Sequence, residues 1–306
     1  MNERPNVVCI GEALWDALPA GRVPGGAPMN VALRLCAFGI RARLLTRVGD
    51  DEAGRDLLAF MQSEGLDTRW VQVDAAQPTG QVSVDTADPQ APQFHIAAPV
   101  AWDFIDAEEF LAAAGGPVDV LVYGSLAARH TVSRESQRRL VGIAGLKVFD
   151  VNLRPPHDEP ALVEEFLQCA DWVKLNGAEL QSLAHRYGGP GDARTAAAWL
   201  AARYGVGTVC VTLGRDGALL LHDGAWHAAP GYCVEVADTV GCGDAFLGAL
   251  LAGLLDRGDP ATVLQKACAA GAIVARCAGG NARVTAEAVA ELADLAGTAG
   301  AAGGAR

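Results

Sequence analysis

Residues 25–39, GGAPMNVALRLCAFG, lie between two short apolar runs, and the contrast between them decides the fold. Within this stretch Val31, Leu35 and Phe38 fall at i, i+4 and i+7, one face of a helix, and Gly39 supplies a stop. The flanking runs, residues 7–10 and 44–48, are rich in Val, Ile and Leu and read as strands buried on both faces. Further runs of this kind follow at residues 118–123, 147–151, 172–175 and 208–213, with helical spacing between them. Alternating strands and helices predict an α/β fold: a mostly parallel sheet with helices on both faces.

Working outward, one region breaks the rhythm. Residues 78–99, PTGQVSVDTADPQAPQFHIAAP, alternate polar Gln81, Ser83 and Asp85 with Val82, Val84 and Thr86, pass a Pro-containing turn and resume at Gln93. This predicts a β-hairpin, either an ordinary surface hairpin or a lid over a ligand cleft. Apolar Val82, Val84, Phe94 and Ile96 also make it a candidate surface for pairing with a second copy. Residues 297–306, GTAGAAGGAR, are Gly- and Ala-rich and predict a frayed tail, which leaves residues 1–296 as a single domain.

With 306 residues, 51% of them hydrophobic, the chain has material for a substantial core. Acidic residues outnumber basic ones 36 to 24, a net charge of −12, which opposes broad nucleic-acid or anionic-membrane surfaces. Any phosphate site must therefore be local. The 8 cysteines are dispersed without a CxxC pair, so neither a zinc knuckle nor a dithiol motif is signalled. With no long apolar segment at the start and no apolar run of spanning length, the expectation is a soluble, cytoplasmic protein.

Residues 237–254, ADTVGCGDAFLGALLAGL, carry the most chemistry. Gly241 and Gly243 flank Cys242 just before Phe246, Leu247, Leu250, Leu251 and Leu254 recur at helical spacing. A helix start offers unpaired N–H groups and the positive end of the dipole, so Gly241, Cys242 and Gly243 form a candidate anion site without a basic patch. Asp244 sits in its mouth, either as a helix cap or as the general base of a phosphoryl transfer. No GxxxxGK[ST] stretch is present, and the Gly241 segment lacks the third glycine and the position of a dinucleotide fingerprint. Near the N-terminus, Asp16, Gly25, Gly26 and Asn30 combine a carboxylate acceptor, a close backbone approach and an amide that both donates and accepts. Neighbouring sugar hydroxyls require such an inventory.

These two segments, in this order, resemble the paired signatures of the ribokinase family, the PfkB-type sugar kinases. The N-terminal match is GGAPMNVALRLCAFG followed by RVGDDEAGRDL at residues 47–57, and the C-terminal match is DTVGCGDAF at residues 238–246. The resemblance spans residues 9 to about 295. It implies a ribokinase-like three-layer α/β/α fold with a small β-lid, its elements near residues 12–24 and 78–99. It further implies Asp244 as catalytic base, with Gly241, Cys242 and Gly243 as anion hole, and sugar bound by Asp16, Gly25, Gly26 and Asn30. Asn152 and Arg154, in FDVNLRP, fall near the transferring phosphate or the substrate. Asn176 and Glu179, in VKLNGAEL, match the Asn-x-x-Glu element that places Mg²⁺ and phosphates through water, although the same pair reads equally as a helix cap. Thr212, Gly214, Gly217 and Asn281 match nucleotide-binding turns, and Asp238 matches the loop that holds a monovalent cation, K⁺, in some members.

The family carries Ala where this chain has Cys242; a thiol at a helix N-terminus is expected to have a lowered pKa and to react with alkylating agents. GGAPMN and FDVNLRP resemble fructokinases, and YGSLAARH at residues 123–130 is closer to a fructokinase than to a 2-keto-3-deoxygluconate kinase. Arg129, within it, either faces the sugar or is solvent-exposed. The implied activity is ATP- and Mg²⁺-dependent phosphorylation of a sugar primary hydroxyl, fructose first, with 2-keto-3-deoxygluconate, ribose or a nucleoside as alternatives. A sugar-binding regulator on a kinase scaffold is the non-enzymatic alternative.

Overall fold

The computed structural model describes residues 5–18, 21–85, 93–113, 118–277 and 282–303. In chain order the elements are β1 (Val7–Ile10), β2 (Leu14–Leu18), β3 (Gly21–Gly25), α1 (Ala27–Ala37), β4 (Ala42–Gly49), α2 (Glu52–Ser63), β5 (Val71–Asp74), β6 (Gly80–Asp85), β7 (Gln93–Ile96) and α3 (Glu108–Ala113). They continue with β8 (Val120–Gly124), α4 (Thr131–Val141), β9 (Leu146–Asp150), α5 (Pro160–Cys169), β10 (Trp172–Asn176), α6 (Gly177–Tyr187), α7 (Ala193–Tyr204) and β11 (Thr208–Thr212). The last are β12 (Ala218–His222), β13 (Ala225–Ala229), α8 (Cys242–Leu255), α9 (Pro260–Ala275) and α10 (Ala286–Gly303).

A nine-stranded sheet, order β13-β12-β11-β10-β9-β8-β1-β4-β5, forms the middle layer. From β11 to β5 neighbouring strands run parallel; β12 and β13 add an antiparallel edge. All four residues of β1 are fully buried, as an apolar strand sandwiched between helical layers must be. On one face Ile10, Tyr123, Phe149 and Phe166 join a core with Leu180 and Leu200; on the other Met29, Leu35 and Leu44 meet Leu247 and Leu251 of α8. The parallel order matters for function, because it brings the carboxyl ends of β1, β8, β9, β10 and β11 to one rim, where open α/β sheets bind ligands.

A second sheet, order β3-β2-β6-β7, stands apart from the first. Its strands pair antiparallel except β2 with β6. The expected hairpin at residues 78–99 supplies β6 and β7, with residues 86–92 outside the described ones. Trp15 Nε1 donates to the Ala53 carbonyl at 2.9 Å, and the Arg22 guanidinium lies 4.5 Å over the Trp15 ring and pairs with Asp56, so β2 and β3 are tied to α2. Asp51 caps α2 at the Gly54 amide and also accepts from Thr79 N at 2.8 Å and Thr79 Oγ1 at 2.6 Å, fixing the entry to β6. Val82 is buried within the chain, which removes it from the face expected to meet a second copy; the side chains of Val84 and Phe94 lie outside the described residues. α10 is described as far as Gly303, and residues 304–306 of the expected tail lie outside the described residues. No described helix is long and apolar enough to cross a membrane.

Candidate active site

The site begins where β1 ends. Past Glu12 the chain crosses into β2, which carries Asp16, and β3 returns to Gly25 beside it. A Cβ on Gly25 would lie 2.2 Å from Asp16 Oδ2, so the missing side chain is what gives the carboxylate its place. Gly26 has φ 112°, and a Cβ there would stand 2.4 Å from the Glu12 carbonyl oxygen. The GG pair therefore meets two separate demands: room for a side chain, then a tight turn into α1. Burial pushes the Asp16 carboxyl up to about 6; Arg154 opposes this, while Asp244 and Asp238 add to it.

Asn30 lies in the first turns of α1 and is 2% exposed. Its Nδ2 donates to Asp244 Oδ2 at 2.8 Å, whereas its Oδ1 is buried without a hydrogen-bond partner. Buried amide oxygens are seldom left unpaired, so this atom marks a place for a donor. Asp244 sits in the first turn of α8, whose N-cap, Gly241, has φ 74°. The Cys242 amide turns back to the Thr239 carbonyl at 3.3 Å, so this one of the three expected anion donors is engaged within the turn. A Cβ on Gly243 would fall 2.9 Å from Lys174 Nζ, which puts an ammonium directly under the helix start.

Lys174 was not singled out from sequence. It is 7% exposed on β10, paired in register with Asp150 of β9, and donates to both oxygens of Asp150 at 3.0 and 3.2 Å. Burial pulls its pKa down, but Asp150, Asp244 and Glu179 more than offset this, and the net direction is up. Asp244 is only partly covered, and its carboxyl is held above the ordinary range, chiefly by desolvation. Lys174 pulls it down, Asp150 pushes it up, and the Asn30 hydrogen bond and Arg154 pull down. A carboxylate so placed between opposing charges has its proton affinity shifted toward the range where a base works.

At the end of β9, Asn152 adopts φ 38° and Arg154 is exposed, its charge acting on Glu12, Asp16 and Asp244 together. Asn176 and Glu179 form a reciprocal capping box at the head of α6: Glu179 N donates to Asn176 Oδ1 at 2.9 Å and Asn176 N to Glu179 Oε2 at 2.8 Å. Glu179 Oε1 accepts from Leu153 N at 2.9 Å, linking this cap to the loop after β9. Thr212 pairs with Asn176 across β10 and β11 and leads into the turn of Gly214, φ 59°, and Gly217, φ 95°. Asp238 Oδ1 accepts from Val240 N at 3.0 Å, just before α8. Asn281 lies outside the described residues. Among the described residues no group of three His, Cys, Asp or Glu side chains is arranged to hold a metal by itself.

Two expectations change. Burial, with the charges of Asp238 and Asp244, raises the Cys242 thiol to about 11, so the helix N-terminus does not yield a reactive thiolate. Arg129 is neither solvent-facing nor available to a ligand: Nε and Nη2 bond Asp103 at 2.7 and 2.9 Å, and the guanidinium stacks 3.9 Å over Trp102. Besides Lys174 and Asp150, sequence reasoning missed Glu12, which is 3% exposed and stands at the rim between Arg154 and Asp244. Its only signal was a lone acid closing an otherwise apolar strand.

Residues 7–287 match the family described as pfkB family carbohydrate kinase. The chain is 32% identical over 267 residues to a fructokinase of Klebsiella pneumoniae, covering 82% of this chain and 85% of that one. A double-mutant fructokinase of Vibrio cholerae O395, in its fructose, ADP and potassium ion bound form, superposes with a TM-score of 0.84 at 26% identity, covering 95% of this chain and 99% of the other. The aminoimidazole riboside kinase of Salmonella enterica, complexed with aminoimidazole riboside and an ATP analog, gives 0.80 at 25% identity, with coverage of 94% and 99%.

Proposed function

Because the chain belongs to the pfkB family of carbohydrate kinases, we propose that it transfers the γ-phosphoryl group of ATP to the primary hydroxyl of a small sugar, D-fructose first, with Asp244 as general base. The observation that carries this reading is the Asn30–Asp244 hydrogen bond at 2.8 Å, which joins the two signature segments and leaves Asn30 Oδ1 buried and unbonded beside the base. A sugar hydroxyl supplies the donor that this oxygen lacks.

In this scheme Asp16 and Asn30 hold sugar hydroxyls, while Gly25 leaves the Asp16 carboxylate its room and Gly26 makes the turn that sets Asn30 beside it. The second sheet lies over the sugar as a lid and excludes water that would intercept the phosphoryl group. Asp244 accepts the hydroxyl proton as the oxygen attacks phosphorus in line. The start of α8 at Gly241 to Gly243, with Lys174 beneath it and Arg154 at the mouth, offsets the charge on the transferring group. Thr212, Gly214 and Gly217 would line the nucleotide. Glu179 would hold Mg²⁺ through water, and a nucleotide-borne Mg²⁺ needs few protein carboxylates, which suits a site where the described residues form no closed ligand cluster. Bound there, it would neutralise phosphate charge. K⁺, carried by the Vibrio cholerae relative, would sit at the Asp238 loop.

A panel of fructose, ribose, 2-keto-3-deoxygluconate, glucose, adenosine and aminoimidazole riboside, assayed for ATP-dependent ADP release, tests the substrate. Fructose is expected to give the highest kcat/KM. A riboside ahead of fructose would contradict the choice of sugar, and sugar binding without ADP release from any of them would favour the regulator.

A further inference from the structure

Arg129 joins three segments that lie far apart in the sequence. It closes the helical turn Leu126–Arg129 after β8, and its side chain is only 7% exposed. Nε and Nη2 grip the two oxygens of Asp103 at 2.7 and 2.9 Å, and Asp103 is itself fixed by the Val100 N–H at 3.0 Å. Nη2 also donates to the Ala97 carbonyl at 2.5 Å, one residue past β7. The guanidinium covers the Trp102 ring, whose edge lies against Gly80 at the start of β6: a Cβ there would fall 2.2 Å from Trp102 Nε1. Both strands of the hairpin are therefore rooted on this ion pair. On its other side, Nη1 lies 3.4 Å from His157 Nε2 in the loop after β9. Arginine only donates, so the imidazole accepts and is neutral. Burial and the guanidinium hold its pKa down, against Asp103 and Asp158. His157 N donates to the Arg154 carbonyl at 2.7 Å and closes the turn that carries Arg154, while Glu179 holds Leu153 N on the upstream side.

We propose that Arg129 is a positioning residue for phosphoryl transfer: one guanidinium holds both the root of the hairpin and the turn of Arg154, so the lid and the cation at the mouth of the site are set together. The inference rests on the readings of the second sheet as a lid over the sugar and of Arg154 as a cation for the transferring group. A guanidinium suits this task because its donors leave one rigid plane in different directions. Here they serve a carboxylate, a carbonyl and an imidazole on three segments. A lysine keeps a charge for Asp103, which would otherwise be stranded in the interior, but its donors share one nitrogen and cannot span Ala97 and His157 as well. A lid that loses its root admits water, which takes the γ-phosphoryl group in place of the sugar and leaves ADP and inorganic phosphate.

The test sets Arg129→Lys, His157→Ala, His157→Gln, Arg154→Ala and the double variant His157→Ala with Arg154→Ala beside wild type, with thermal melts as a control for folding. ADP, sugar phosphate and inorganic phosphate are measured with ATP and the best sugar of the panel. Arg129→Lys is expected to raise the sugar KM about 10-fold, to hold the KM for ATP, and to release more inorganic phosphate per ADP than wild type. His157→Ala should lower kcat about 10-fold, and His157→Gln, whose amide oxygen accepts from Nη1, should restore most of it. In the Arg154→Ala background His157→Ala should cost nothing further, because it acts through Arg154. A purely structural role would lower the melting temperature, leave the phosphate balance intact and make the two losses additive. Wild-type sugar KM and phosphate balance in folded Arg129→Lys, or additive losses in the double variant, overturn the proposal; should Arg129→Lys not fold, the double variant decides alone. Asp16→Asn, on β2, separates the readings beneath it: an unchanged sugar KM there sinks the placing of sugar under the second sheet, and unchanged kcat in Arg154→Ala sinks its role at the mouth. Impaired Asp16→Asn and Arg154→Ala beside unaffected Arg129 and His157 variants sink the coupling alone.

Discussion

Asn30 Nδ2 and Asp244 Oδ2, 214 positions apart in sequence, meet at 2.8 Å where the starts of α1 and α8 converge. This contact makes one site out of two loops. A hydrogen bond to a charged partner contributes roughly 1.5–3 kcal/mol. Asn30→Ala should therefore lower kcat/KM about 10- to 100-fold, with the sugar KM rising as well. Steady-state kinetics with sugar as the varied substrate measures this.

Gly25 gives Asp16 its room. In Gly25→Ala the new Cβ would fall 2.2 Å from Asp16 Oδ2, so the carboxylate must leave its position. The sugar KM should rise by roughly 10-fold or more, while the KM for ATP holds. Equal rises in both constants would mean that Gly25 shapes the whole cleft instead of the sugar pocket.

Asp16, raised to about 6 from 3.8, trades stability for function. An acid with a raised folded pKa binds its proton more tightly in the native state, so its contribution is fully favourable below pH 3.8 and is lost as pH rises through about 6. Asp16→Asn should consequently melt higher than wild type at alkaline pH, with the gap closing toward acid. Sugar affinity in that variant should fall, and wild-type affinity should weaken as pH drops below about 6.

Lys174 and Asp150 form a buried pair, each less than a tenth exposed. Lys174→Met leaves Asp150 buried without its cation, a loss of about 3–5 kcal/mol in stability. Because Lys174 also pulls the Asp244 pKa down, the acidic limb of the pH–rate profile should move to higher pH in whatever folded fraction remains. Chemical denaturation and a pH profile of the same preparation separate the two effects.

The parallel layer was legible because largely buried strands such as VVCI and TVCVT are short runs rich in β-branched residues, and because Val31, Leu35 and Phe38 repeat at helical spacing. Edge elements were harder to read. VQVD in β5 is a short run with two polar residues, and the AWHAA strand of β13 lacks a branched apolar residue; tertiary pairing, not propensity, makes them strands. In the site, Asp16, Gly25, Gly26, Asn30 and Asp244 stood out because glycines and polar groups at helix starts have few structural reasons to be there. Lys174 and Asp150 did not, since each looks like a single charge in an apolar strand until the register of β9 and β10 sets them side by side. The thiol of Cys242 was misjudged for a related reason: a helix start alone lowers a pKa, but two neighbouring carboxylates and burial outweigh it. Arg129 owes its burial to Asp103, 26 positions away, a partner that local sequence does not reveal.

The role of Asp244 is tested most directly by measuring fructose binding and ATP-dependent ADP release in Asp244→Asn and Asp244→Ala beside wild type. Positioned general-base catalysis accounts for about 10²–10⁴-fold in rate, so both variants should bind the sugar and lose turnover by that order. Wild-type turnover in either would contradict the mechanism.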